Sequence, residues 1–318
     1  MLNAREFLKK TDAEVSKTVV GKSDRLRLAT AAVLAGGHIL LDDLPGVGKT
    51  TFVKSFSMAL GCGFKRIQFT PDLLPSDVVG MNIFDRGTSS FRRVDGPIMT
   101  NILLADELNR AIPRTQSALL EAMAERQVTL DGETTPLPSP FIVMATQNPV
   151  ESESTFRLPA AQLDRFMLCL SLGYLNSGEE AEMLRSVGDD IPFDSIRAVS
   201  DPDSIVALQE QMRDVSITED MTDYIVSLVS ATRGHPMLRL GASPRATRDL
   251  YRCSKALAAI SNRDFVTPDD VHELLIPVLA HRLVQSSEAG VTGKTKRSVL
   301  LDIAEKTPVP PSRNKLFV

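Results

Sequence analysis

The chain has 318 residues, of which 43% are hydrophobic and 24% charged, with a formal net charge of −4. That is the composition of an ordinary globular protein of about two domains. Its acidity argues against a chain that coats nucleic acid by charge alone, and no apolar run reaches the ~18 residues needed to cross a bilayer. Residues 3–17 read as a polar helix, broken by Val19-Val20-Gly21-Lys22, and Ser23 is a candidate N-cap for a second helix through residue 35 that Gly36-Gly37 stop. Ile39-Leu40-Leu41 is a short apolar strand, Asp42 to Gly48 a turn-forming loop, and a helix begins at Lys49 and runs to about residue 60, where Gly61 and Gly63 can end it. Residues 66–69 make a short strand. Between residues 71 and 97, Met81–Phe84 and Phe91–Val94 flank a turn and read as a protruding β-hairpin, with a solvated loop as the alternative.

Residues 101–105 form a continuous apolar strand ending on Asp106-Glu107, as expected for a strand buried on both faces. A helix over 113–126 and a second hairpin over 127–137 follow. Residues 141–146 form another buried strand, ending on Gln147-Asn148-Pro149. A polar loop over 151–157 leads to Leu163-Asp164-Arg165-Phe166 and a last apolar run, 167–172. Composition changes at 173–178, and the rest reads as helical: 178–187, 202–212, 219–233, 244–260 and 268–283, with Ser243-Pro244 and Thr267-Pro268 as helix starts and Pro277 as a kink. The layout is an alternating α/β domain over 1–176 followed by a helical one over 177–318. Cys62, Cys169 and Cys253 lie far apart among apolar neighbours and read as reduced thiols of a cytoplasmic protein. The polar start, Met1 to Lys10, lacks the apolar region of a secretion signal, and the four histidines form no H-E-x-x-H pair.

The chemistry starts at the first strand–loop–helix. Gly48-Lys49-Thr50 closes a P-loop, in which backbone N–H groups and a helix N-terminus cradle phosphates. Lys49 supplies a point charge for the outer phosphates and Thr50 a hydroxyl for Mg²⁺. Asp43 stands where the general pattern has its first glycine. Asp106 is placed to help hold Mg²⁺, and Glu107 to activate a water for attack on the γ-phosphate. Taken alone, Asn148 reads rather as a turn residue before Pro149, Arg165 as a surface ion pair with Asp164 and Arg245 as a solvated arginine. Together they read as a water- or γ-phosphate-contacting amide, an arginine suited to charge spread over phosphoryl oxygens, and an arginine that reaches back to a nucleotide held between domains.

In that order, these motifs resemble the AAA+ ATPases and, more narrowly, the MoxR family. The resemblance rests on Leu44-Pro45-Gly46-Val47-Gly48-Lys49-Thr50, the segment from Phe69 to Asp77, Asp106-Glu107-Leu108-Asn109-Arg110-Ala111, Ala145-Thr146-Gln147-Asn148-Pro149, Gln162-Leu163-Asp164-Arg165-Phe166 and Gly241-Ala242-Ser243-Pro244-Arg245. It implies an AAA+ core with a parallel sheet and a smaller helical lid. Asp43, Leu44, Pro45, Gly46, Val47, Gly48, Lys49, Thr50 and Thr51 would form Walker A, and Asp106 and Glu107 Walker B. Asn148 would be sensor 1, Arg165 a trans-acting arginine finger, Arg245 sensor 2, and Val20-Gly21 would lie near adenine. The 71–97 insertion would be the helix-2 insert and 127–137 the pre-sensor hairpin. The implied ligands are ATP and Mg²⁺, and the implied assembly is a hexameric ring that remodels a protein client, such as one with a von Willebrand factor A domain. Arg110 and Arg114 would face a neighbour's nucleotide. The rivals are a nucleic-acid motor using Arg92 and Arg93, a nucleotide-gated scaffold, and a small-molecule kinase.

Overall fold

The computed structural model describes residues 3–87, 89–148, 156–188 and 190–310. Five parallel strands form the central sheet: β1 (Ile39–Asp42), β2 (Phe64–Gln68), β3 (Ile102–Asp106), β4 (Ile142–Gln147) and β5 (Leu168–Leu170), in the order β2-β3-β4-β1-β5. Successive strand residues point to opposite faces, so a sheet covered on both sides demands unbroken apolar runs. Ile39, Leu41, Leu104, Met144, Leu168 and Leu170 face one core, whereas Leu40, Leu103, Ala105, Val143 and Ala145 face a second.

The first core is filled by helices α1 (Ala4–Val15), α2 (Ser23–Leu34) and α3 (Lys49–Ala59). The second is closed by α4 (Pro113–Glu125). Beyond the sheet follow α5 (Ser177–Ser186), α6 (Pro202–Gln211), α7 (Glu219–Arg233), α8 (Pro244–Ile260), α9 (Pro268–Leu279) and α10 (Lys296–Lys306). The first core runs on without interruption into α6 through α10, with α8 lying against α1 and α2. The amino-terminal helices therefore belong to the same apolar body as the carboxyl-terminal ones.

The carboxyl-terminal region is not wholly helical. Leu238–Leu240 pairs antiparallel with Val284–Gln285, a ribbon too short to give a periodic signal in the sequence. Helix α9 stops at Leu279 and passes into a 3₁₀ turn, Ala280–Arg282, with Pro277 inside its last turn. Ser243 caps α8 by accepting the Ala246 N–H, and Thr267 caps α9 in a box with Asp270. Ser23, in contrast, is the first helical residue of α2. The cap position falls on Lys22, which makes no side-chain cap bond there.

Both expected hairpins form, Gly80–Asp85 with Ser90–Asp95 and Gln127–Leu130 with Glu133–Pro136. They touch: Asn82 Nδ2 donates to the Asp131 carboxylate at 2.8 Å, and the Arg93 guanidinium donates to the Thr135 hydroxyl. Phe84 and Phe91 pair edge-on at 5.3 Å on the first hairpin, both exposed. No helix among the described residues is long and apolar enough to cross a membrane.

Candidate active site

The register aligns the strand ends. Gln68 lies opposite Asp106, and Asp42 opposite Gln147, so β2, β3, β4 and β1 deliver polar residues to one edge of the sheet. That edge, at the carboxyl ends of the strands, is where open α/β sheets hold ligands. The P-loop leaves β1 there. Gly46 and Gly48 have φ of +80° and +85°, in the left-handed region that a side chain disfavours, and the space over each is open out to 4 Å. Gly48 caps α3, so Lys49, Thr50 and Thr51 occupy its first turn, where N–H groups lack helical partners. Lys49 Nζ donates to the carbonyls of Asp43 (2.6 Å) and Leu44 (3.2 Å), which holds the ammonium over the loop.

Asp43, the residue that departs from the general P-loop pattern, is buried and its carboxylate is fully engaged. Oδ1 accepts from the Leu44 N–H at 2.9 Å; Oδ2 accepts from the Ser171 hydroxyl at 3.1 Å and the Gly173 N–H at 2.8 Å. It is a strut between the start of the loop and the chain leaving β5.

Beside the loop is a cavity of about 270 Å³, mostly apolar, lined by Val19, Val20, Val47, Leu172, Met183 and Ile191 among others. Lys22 joins its walls by donating to the carbonyls of Gly173 (3.2 Å) and Tyr174 (3.3 Å). Gly21 has a φ of +70°, in the left-handed region that a side chain disfavours. Mostly apolar and adjoining the P-loop, the cavity is of a kind that can take a nucleobase. In the sequence, Leu172 reads as the end of the last apolar strand, Met183 as part of an ordinary helix and Ile191 as part of the connection after it, so nothing local marks them as a cavity wall.

Asp106 is buried at the end of β3. Oδ1 accepts from the Thr146 hydroxyl at 2.6 Å, and Oδ2 from Arg66 at 2.6 and 3.0 Å. Glu107 follows with φ +55°, a left-handed conformation uncommon outside glycine, and its N–H donates to Thr146 Oγ1 at 2.8 Å. Its carboxylate accepts from Gln68 Nε2 at 2.7 Å and Arg110 at 2.8 Å. Thr146 thus fixes both acids through one hydroxyl. Its signal in the sequence is a polar residue inside an otherwise apolar buried strand. Arg110, expected to face a neighbour, engages Glu107 of its own chain. Asn148 is buried next to this edge, and its carbonyl accepts from Asn109 Nδ2 at 3.4 Å; Pro149 lies outside the described residues.

No group of three or more metal-ligating side chains occurs among the described residues. Mg²⁺ characteristically keeps waters and takes few protein oxygens when it is shared with phosphates. The Thr50 hydroxyl and the Asp106 carboxylate, close to the phosphate cradle, fit an ion that enters with a nucleotide.

Arg165 and Arg245 lie elsewhere. Both line a second cavity, of about 150 Å³, with Gly36, Gly37 and His38 at the amino end of β1. The P-loop is at the other end, on the order of 13 Å away for a four-residue strand. The expectation that Arg245 reaches back to a nucleotide of its own chain is therefore not met: α8 packs on α2 and carries Arg245 to the opposite edge. Arg165 donates to the Leu120 carbonyl, while Arg245 makes no hydrogen bond or ion pair with the described residues. Arg126, Arg248 and Arg252 line the same cavity, and Asp249 is the sole acid there among the described residues. Arg252 has its pKa lowered chiefly by burial, which Asp249 opposes and the neighbouring Arg248, Arg126 and Arg213 reinforce. His38 is neutral there. Its Nδ1 accepts from the Val143 N–H at 3.0 Å, leaving Nε2 to donate to the Met123 carbonyl at 3.2 Å, and burial pushes its pKa down to about 4.

A phosphate cradle, a strand-end carboxylate pair and a helical lid define a P-loop ATPase of the AAA+ type. The family model for the AAA ATPases associated with various cellular activities matches residues 38–168, and that of the AAA lid domain matches residues 230–303. The chain is 45% identical to the uncharacterized protein YeaC of Bacillus subtilis, over 97% of this chain and 96% of that one. It is 41% identical to chaperone MoxR1 of Mycobacterium tuberculosis, over 87% and 75% of the two chains. The crystal structure of a protein from Cytophaga hutchinsonii assigned as an ATPase superposes with a TM-score of 0.90 at 38% identity, covering 97% and 96%. The chain belongs to the MoxR family of AAA+ ATPases, and it is a nucleotide-binding ATP hydrolase.

Proposed function

We propose that the chain works as a ring in which each ATP is bound by one subunit and completed by the next. The observation that carries this reading is the placement of Arg165 and Arg245 at the amino end of β1, a strand length from the P-loop of the same chain. In a closed head-to-tail ring the arginine edge of one copy meets the P-loop edge of another, and by family resemblance that ring is a hexamer.

Within one subunit, the backbone of Asp43 to Gly48 and the first turn of α3 receive the phosphates, and Lys49 leaves the Asp43 and Leu44 carbonyls to pair with the outer ones. Thr50 and Asp106 would hold the Mg²⁺ that accompanies ATP, which would offset phosphate charge. Glu107 takes the proton of the attacking water once its carboxylate leaves Gln68 and Arg110. Asn148 orients that water. Arg165 of the neighbouring copy, with Arg245 beside it, stabilises the charge that spreads over the transferred phosphoryl oxygens.

The output is mechanical, exerted on a protein client in the cytoplasm. The two touching hairpins, with Met81, Phe84 and Phe91 exposed, offer the apolar surface for it. MoxR1 is described as a chaperone, and a von Willebrand factor A domain is the client class that the family resemblance suggests. A nucleic-acid motor is less well supported, because Arg93 of the hairpin is already held by Asp95 and Thr135.

The test is subunit mixing. Arg165→Ala and Glu107→Gln are each expected to be inactive alone, the arginine loss amounting to about 10³-fold or more. Mixed rings should regain hydrolysis, because an intact P-loop then meets an intact arginine. Absence of recovery in rings shown to co-assemble would overturn the shared site.

A further inference from the structure

Arg165 and Arg245 are separated by 80 positions in the sequence, yet each is flanked on both sides by residues of one polar cluster built around the buried Arg282. On the near side, the Ser243 hydroxyl donates to both carboxylate oxygens of Asp164 at 2.8 Å. This joins the residue before Arg165 to the residue two before Arg245. The same hydroxyl accepts the Ala246 N–H at 3.2 Å, so the cap of α8 and the hold on Asp164 share one oxygen. On the far side, Arg282, only 2% exposed, donates from Nη2 to the Phe166 carbonyl and to Asp249 Oδ2, each at 2.7 Å. This joins the residue after Arg165 to the residue one turn beyond Arg245. Arg282 Nη1, which has no hydrogen-bond partner among the described residues, lies 3.3 Å from Asp164 Oδ1, and this ion pair closes the bracket.

Resting on the reading that Arg165 and Arg245 serve a neighbouring subunit, we propose that Arg282, Asp164 and Ser243 are positioning residues that lock the two arginines into one rigid pair. A buried guanidinium is expensive to desolvate and needs its carboxylates in place, so Arg282 holds Asp164 and Asp249 at set positions instead of sampling others. Its planar fork reaches two elements at once, which a lysine cannot do. Precise presentation matters because a displacement of ~1 Å in a charge-stabilising group can cost on the order of 10²-fold in rate. Neither Arg282 nor Asp164 lines the nucleobase cavity beside the P-loop, so the pair is set without touching the subunit's own nucleotide.

The test uses Asp164→Asn in the full chain, a near-isosteric change at a partly exposed side chain, with Arg282→Lys as the second variant. Expected for both is a fall in kcat of about tenfold or more, with KM for ATP within about twofold of wild type. Equimolar mixing of Asp164→Asn with Glu107→Gln should give hydrolysis several-fold above the sum of the separate proteins, because Glu107→Gln subunits supply well-placed arginines to the intact P-loops of their neighbours. A structural defect alone would spread to KM and would not be complemented. A kcat for Asp164→Asn within twofold of wild type overturns the proposal. So does a failure to complement while Arg165→Ala mixed with Glu107→Gln recovers. Should the Arg165→Ala mixture itself stay inactive, the shared site falls and the positioning role falls with it.

Discussion

The two ends of β1 are built in opposite ways. At its carboxyl end, cations and acids alternate: Lys49 sits on the Asp43 carbonyl, Arg66 on Asp106 and Arg110 on Glu107. At its amino end, five arginines surround a single carboxylate that is already paired with Arg282. The first is assembled from strand ends and the short loops that leave them. The second is assembled by α8 and the turn before β5, brought together by packing on α2. On the proposed reading, half of a phosphoryl-transfer site stands at each end. That arrangement suits two copies meeting edge to edge and does not suit closure within one chain.

The largest separation between the ends comes from disabling the carboxyl end. Glu107→Gln should keep ATP affinity and lose about 10²–10⁴ in kcat, measured by phosphate release; turnover within a few-fold of wild type would remove Glu107 from the role of base. Lys49→Ala should instead abolish nucleotide binding in a direct titration, and unchanged affinity would contradict the cradle.

A smaller effect is expected from Thr146→Val, which keeps the shape of a buried side chain and deletes the hydroxyl that both Asp106 and Glu107 use. Losing those two bonds at about 1 kcal/mol each should lower kcat roughly tenfold to thirtyfold and leave ATP binding within a few-fold. A wild-type kcat would show that the two acids hold their places unaided.

Asp43 sharpens the comparison further. Its carboxylate accepts three hydrogen bonds from its own chain, so it acts on the loop's anchorage and not on phosphate. Asp43→Gly should therefore cost about 2 kcal/mol of stability, read as a melting midpoint lower by roughly 5 °C, while ATP affinity stays within several-fold. A large loss of affinity with an unchanged midpoint would reverse that assignment.

The smallest and most general effect is on pH dependence. Burial lowers His38 to about 4 and His281 to about 3 from 6.5. A buried base of lowered pKa stabilises the fold fully above pH 6.5 and loses that contribution as pH falls toward the folded value, since the unfolded chain then binds more protons. Near pH 5 unfolding should take up about two protons through these residues, a slope of roughly 1.4 kcal/mol per pH unit for each. Denaturant unfolding of His38→Gln across pH 5–6.5 should show the slope reduced by about one proton. An unaltered slope would mean that His38 is already charged in the folded protein.

What could be read from the sequence was whatever neighbours in the chain decide. A strand, a glycine-containing turn and a helix start are local events, so the P-loop and the acids ending β3 were visible as such. The continuous apolar runs also implied a sheet covered on both faces. Long-range packing decided the rest. Thr146 looked like an ordinary strand residue until register set it beside Asp106. Asp43 looked like an exception until Ser171 and Gly173 folded onto it. Leu172 and Met183 became a cavity wall only when α5 closed on Gly21. Arg245 had the right residue type, but its direction depended on which surface α8 covers. A helix's apolar stripe tells that it must be buried, and only the tertiary structure shows that α2 buries it, which carries Arg245 away from its own P-loop and beside Arg165.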